Sequence, residues 1–191
     1  LYYPDYMINQ MLKTTIGYAG HYLSKKYPDW THNDFISRCY FSFIPGESQN
    51  PTDSGRLFLR KIRDEVGIPE DRLIEYNDIP LTLEGEHRSC PVILIDDFVG
   101  SGDQCIRAWN SNRFDHGGKT LREISTADDH IFIYSPLIVN HIGYNKIISF
   151  CRNLIIEPAH ILGPEYNLFR KECFCWKGDE ETFNNGVDLI L

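Results

Sequence analysis

The sequence predicts an α/β domain of three layers, with a mostly parallel sheet and helices on both faces. Two observations carry that expectation. Short apolar segments near 38–44, 91–95, 130–134 and 154–156 alternate with helical stretches at a spacing that suits crossover connections. One of them, Pro91-Val92-Ile93-Leu94-Ile95, is apolar throughout and rich in β-branched residues. That is the pattern of a strand buried on both faces at the centre of a parallel sheet. The chain has 191 residues, 42% of them hydrophobic, enough for one sizeable core.

Taken in order, residues 5–27 read as an amphipathic helix, with Asp5 as its cap, Pro28 beyond its end, and Gly17 and Gly20 as the points where it would break. Arg38-Cys39-Tyr40-Phe41-Ser42-Phe43-Ile44 reads as an aromatic strand, followed by a polar turn-rich loop over 45–52. A helix is expected to start near Asp53 or Ser54, where Leu59, Ile62 and Val66 share one face. Gly67 and Pro69 end it. Residues 71–76 suggest a short strand and 77–90 a polar loop. After the apolar run, a loop from Asp96 leads to a helix starting near Ser101 or Asp103. Strands follow at 130–134 and 154–156, with a helix around 144–151 between them. The remainder, about 163–191, mixes a short helix with aromatic loop residues. Trp176 and its aromatic neighbours read as core or interface, and Val187–Leu191 as the opening of a strand. This divides the chain into an N-terminal helical cap (1–36) and an α/β domain (37–191), with 163–191 as an extension or hood. The missing Met and the abrupt apolar end suggest a longer polypeptide.

Composition narrows the function classes. Nineteen Lys and Arg against 27 Asp and Glu give a net charge of −8. Such a chain presents no broad nucleic-acid surface, which needs positive charge. No apolar run is long enough for a membrane-spanning helix, so no membrane role is expected. The six cysteines include one close pair, Cys173 and Cys175, and most sit in apolar segments. They read as reduced structural thiols in a cytoplasmic protein.

The chemistry is concentrated in residues 92–104. Asp96 and Asp97 stand at the carboxyl end of the apolar strand, where open α/β sheets bind ligands. Gly100, Ser101 and Gly102 follow at a helix start. Free backbone N–H groups there hold an anion, and small residues allow its close approach. Two carboxylates just upstream can accept hydrogen bonds from paired ribose hydroxyls, or help hold a Mg²⁺ that phosphates bring. One segment thus offers a phosphate end and a sugar end. A second acidic pair, Asp128-Asp129, precedes a strand and lacks glycines after it, so it reads as a solvated turn.

Four apolar residues, two acidic residues, a short variable stretch and Ser-Gly form the signature that binds phosphoribosyl pyrophosphate (PRPP) in type I phosphoribosyltransferases. The segment Val92-Ile93-Leu94-Ile95-Asp96-Asp97-Phe98-Val99-Gly100-Ser101-Gly102-Asp103-Gln104 resembles it. The wording Asp-Asp-Phe-x-Gly-Ser-Gly is most similar to divergent bacterial phosphoribosyltransferase-like proteins of conflict and phage-defence systems. The compatible element order covers about 37–160. The resemblance implies the Rossmann-like type I phosphoribosyltransferase fold, with Asp96 and Asp97 on the ribose hydroxyls. It also implies that Phe98, Val99, Gly100, Ser101 and Gly102, with the backbone of Asp103 and Gln104, surround the 5′-phosphate. Pyrophosphate would be gripped between Pro45 and Arg56, with Ser54, Gly55 and Arg56 as candidates. A closing loop would lie within 77–90, with His87 and Arg88 as candidates. The implied reaction is glycosyltransfer from PRPP to a base with Mg²⁺. The implied partners are PRPP or a nucleotide, and proteins of a defence complex or a second copy of the chain. Asp103 and Gln104 depart from the family pattern, which places a small residue and Thr there. That departure, and a closing loop without an evident lysine, leave open an inactive nucleotide sensor or effector subunit. A purely structural interaction module is the third reading.

Overall fold

A computed structural model describes residues 3–46, 54–86, 88–111, 119–127 and 130–190 of the chain. Helix α1 (Asp5–Lys26) runs unbroken through Gly17 and Gly20. Its buried stripe is Leu12, Ile16, Ala19 and Leu23, at helical spacing. A capping box then starts α2 (His32–Arg38): Thr31 accepts the Asp34 N–H while the Asp34 carboxylate accepts the Thr31 N–H. The sequence reading had no element there. Strand β1 (Tyr40–Phe43) is buried at every position. Helix α3 (Ser54–Val66) buries Phe58, Leu59 and Ile62, and Gly67, at φ +80°, terminates it.

The strand expected at 71–76 shrinks to one bridge, Leu73 beside Phe41. Short 3₁₀ turns flank it at 70–72 and 76–78. The stretch expected as a polar loop opens with a helix, α4 (Ile79–Glu84). Pro80 lies in its first turn, where a missing N–H costs nothing, and Ile79 and Leu83 bury one face.

Strand β2 (Val92–Val99) leads through a turn to α5 (Asp103–Asn110) and α6 (Leu121–Ala127). Strand β3 (Phe132–Asn140) is nearly twice the expected length and runs straight through Pro136 into α7 (His141–Phe150). Strands β4 (Leu154–Ile156) and β5 (His160–Leu162) pair in turn with the two halves of β3. Between them the Glu157 and Ala159 N–H groups donate to the Tyr134 and Pro136 carbonyls, which keeps the edge continuous. Of Val187–Leu191, expected as the opening of a strand, residues 187–190 instead end helix α8 (Glu180–Ile190), and Leu191 lies outside the described residues. Asp179 caps that helix by accepting the Thr182 N–H, and Phe183 packs edge-on against Trp176.

The sheet is parallel, in the order β1-β2-β3-β4. Phe41, Ile93, Ile95 and Ile133 pack against α1, α2 and α3 on one face. Val92, Leu94, Phe132 and Tyr134 pack against α4 to α7 on the other. The path from β1 to β2 passes α3 on the first face, the Leu73 bridge outside β1, and α4 on the second face. The winding direction therefore reverses between β1 and β2, and a doubly wound sheet binds ligands beyond the carboxyl ends of the strands at such a point. No helix among the described residues is long and apolar enough to cross a membrane.

Candidate functional site

The carboxyl ends of β1 and β2 hold the motif. Asp96 and Asp97 were expected to open a loop, but they lie within β2. Asp96 pairs with Pro136, Phe98 with Ile138, and Val99 with Val139. The extension exists because β3 continues through Pro136 and supplies partners for Asp96, Phe98 and Val99. The acidic pair is thus anchored in the sheet.

The turn after β2 is built on two glycines. Gly102, at φ +80°, precedes α5, and a Cβ there would stand 3.0 Å from the Gly143 carbonyl oxygen and from Ile147 Cγ1. A Cβ on Gly143 would fall 2.4 Å from the Gly100 carbonyl oxygen. The turn and the start of α7 therefore meet backbone to backbone. Gly143 escaped the sequence reading because nothing local connects position 143 with 100–102.

Each polar side chain around the turn has a specific partner. The Tyr134 hydroxyl donates to Asp96 Oδ2 at 2.5 Å, and the Asp97 N–H donates to Asp96 Oδ1 at 2.9 Å. Burial pushes the Asp96 carboxyl up to about 8; the Tyr134 hydrogen bond opposes this and the nearby Asp97 carboxylate adds to it. Asp97 accepts the Phe98 N–H at 2.8 Å. Lys146 donates to Asp103 at 2.5 Å and Ser101 Oγ donates to it at 2.8 Å. These two bonds, Lys146 first, hold the Asp103 carboxyl below its ordinary range. The Gln104 side-chain amide donates to the Pro45 carbonyl at 3.1 Å, tying the start of α5 to the end of β1. Both departures from the expected motif are accounted for: Asp103 is neutralised by Lys146, and Gln104 spans the point where the winding reverses.

A cavity of about 360 Å³ opens here, lined by Asp96, by the segment from Phe98 to Cys105, and by Arg107 and Tyr134. Asp97 is not part of its lining. Backbone N–H groups at the start of α5, with Arg107 one turn further on, suit an anion; the Asp96 carboxyl suits a hydroxyl-bearing group beside it. Tyr134, Arg107, Lys146 and Gly143 were missed from sequence. Arg107 alone had a local signal, four residues after Asp103 on the same helix face.

Other expected site residues lie elsewhere. Ser54 opens α3. Gly55 is a packing residue, since a Cβ there would stand 2.2 Å from Phe43 Cδ2. Arg56 makes a bidentate pair with Glu75, at 3.1 and 3.3 Å. Residues 47–53, which form most of the expected pyrophosphate loop, lie outside the described residues, as do His87 and Asp128-Asp129. Arg88 precedes β2 and lines a different cavity beyond the amino ends of the strands, away from Asp96. The described residues contain no cluster of three or more His, Cys, Asp or Glu side chains that could hold a metal. Cys175 is exposed and its thiol donates to the buried Cys173 sulfur at 3.4 Å. The family model described as PRTase-CE matches residues 1–190. No curated protein matches the chain.

Proposed function

Because the chain belongs to the phosphoribosyltransferase-like PRTase-CE family, we propose that its carboxyl-edge cavity binds the 5′-phosphoribosyl group of PRPP or of a nucleotide. The observation that carries this reading is one wall of one cavity, on which the Gly100-Ser101-Gly102 turn, the start of α5 and the Asp96 carboxyl stand side by side. The 5′-phosphate sits against the N–H groups of residues 100–104, with the helix dipole and Arg107 behind it. The ribose hydroxyls face Asp96, with Asp97 beside the cavity. Mostly protonated at neutral pH, Asp96 can both donate to and accept from a hydroxyl, while Tyr134 fixes its orientation.

Turnover breaks the bond from ribose C1 to pyrophosphate and forms one from C1 to a base nitrogen. The chain contributes position and electrostatic support for a positively charged, ribose-centred transition state. Mg²⁺ brought by the pyrophosphate would neutralise its charge, and Asp97 would be the carboxylate open to that ion, since Asp96 is held by Tyr134. The phage-defence setting rests on the wording of the motif alone.

A second reading, binding without turnover, draws on two placements. Arg56 is held by Glu75, and Arg88 lies at the far edge of the sheet. Calorimetric titration with PRPP, with and without Mg²⁺, tests both readings. Binding that is lost in the double variant Asp96→Asn/Asp97→Asn supports the first. Binding without pyrophosphate release across a panel of bases selects the second. Absence of binding to both PRPP and nucleoside monophosphates overturns both.

A further inference from the structure

We propose that the chain carries a second ligand site, at the amino edge of the sheet, for a small organic anion with an apolar body. A cavity of about 400 Å³ opens there, at the opposite end of β2 from Asp96. Arg88 stands four residues before the start of β2, and His130 two residues before the start of β3. The proposal therefore does not depend on the carboxyl-edge reading.

Three features make this cavity a receptor for an anion. Arg88 lines it with an exposed side chain and makes no ion pair with any described residue. Lys119, engaged in a contact of its own, stands on the same rim. His130 is 8% exposed, and its Nδ1 accepts the Cys90 N–H at 3.1 Å. The same Nδ1 lies 3.3 Å from the Cys90 carbonyl oxygen, so both contacts of His130 are made through one ring nitrogen; Nε2 has no partner among the described residues and donates or accepts according to the tautomer. The Arg88 guanidinium and the open ring edge of His130 therefore line one cavity.

The rest of the lining narrows the ligand. Leu83 and Ile124 supply an apolar wall for its body. Glu86 also lines the cavity, with its carboxylate engaged by the Tyr40 hydroxyl, and Glu84 lies beside it. These carboxylates repel a polyphosphate but tolerate a single anionic head placed against Arg88. The volume suits a ligand no larger than a nucleotide. The shared chemistry is one carboxylate or phosphate on a flat or apolar body.

Amide NMR of the whole chain, titrated separately with benzoate and adenosine 5′-monophosphate, tests this. The expected result is saturable shifts at residues 83–90 and 119–130 with at least one probe. Shifts with benzoate alone identify a carboxylate ligand, and shifts with the nucleotide a phosphate ligand. Arg88→Glu, an exposed charge reversal, should weaken these shifts at least tenfold, and His130→Phe should weaken them in a sample whose spectrum remains folded. Asp96→Asn should leave them unchanged and alter only the nucleotide's effect on 96–107. Shifts confined to 96–107, no shift with either probe at millimolar concentration, or unchanged affinity in Arg88→Glu would overturn the proposal.

Discussion

The Tyr134 hydroxyl on β3 donates to the Asp96 carboxyl on the neighbouring strand β2 at 2.5 Å, under the cavity that holds the glycine turn. Tyr134 is almost fully buried, so its hydroxyl has no water to compete for it. Burial and the neighbouring Asp97 make this carboxyl resist ionisation, against the pull of the Tyr134 bond toward the charged form.

That resistance makes stability depend on pH. The folded-state value of Asp96 is about 8, against 3.8 for an ordinary carboxyl. The native state therefore holds this proton more tightly than the unfolded chain, and the Asp96 contribution is fully present below pH 4 and is lost as pH rises from about 4 to about 8. Asp96→Asn removes the titration. The difference in thermal midpoint, variant minus wild type, should grow across that window and level off above it, by several degrees in total. A difference that stays flat between pH 4 and 9 would contradict the assignment.

The contact between the turn and α7 leaves no room for a side chain. Gly143→Ala drives a Cβ toward the Gly100 carbonyl, and Gly102→Ala adds strain at a positive φ. Each should cost about 1–3 kcal/mol in urea denaturation. Gly143→Ala should also weaken phosphoribosyl binding, although residue 143 does not line the cavity. Undiminished affinity in a folded Gly143→Ala protein would show that the turn is not shaped by α7.

Lys146 shields the turn from Asp103. Lys146→Met leaves that carboxylate facing the phosphate position without its partner, so affinity for ribose 5-phosphate should fall about tenfold while the fold is kept. Adding Asp103→Asn should restore most of the loss. Calorimetry on the single and double variants checks both steps.

Gln104 bridges β1 and α5 as a donor to a carbonyl. Gln104→Ala should cost about 1 kcal/mol. Gln104→Glu, nearly the same shape, turns a donor into an acceptor facing carbonyl oxygens and should cost more at pH 7 than at pH 4, measured by chemical denaturation. Equal stability at both pH values would remove the bridge from the account.

Arg56 is paired with Glu75 and does not line the cavity. Arg56→Ala should leave affinity for ribose 5-phosphate within twofold of wild type. A larger loss would mean that Arg56 exchanges its partner when ligand binds.

Much of the fold was legible locally. The apolar run at 92–95, the aromatic strand at 40–43 and the face of Leu59 and Ile62 announce themselves through period and composition. The short elements were not: α4 has one helical turn and a half, and its two apolar anchors sit inside a polar stretch. The strand expected at 130–134 ended too early: β3 passes through Pro136 because pairing on both sides holds the strand in place.

The sequence by itself determined the central strand, the acidic pair at its end and the glycine turn into a helix, because each depends on backbone freedom and side-chain pattern within a dozen residues. Only the tertiary structure decided what surrounds them. Strand pairing put Tyr134 under Asp96. Packing set Gly143 against Gly100, and winding direction carried Arg88 to the opposite edge from the motif it was expected to cover. These relations join positions tens of residues apart, and no local propensity encodes them. They follow from which strands pair and on which face each crossover lies, which is settled only when the whole core is buried at once.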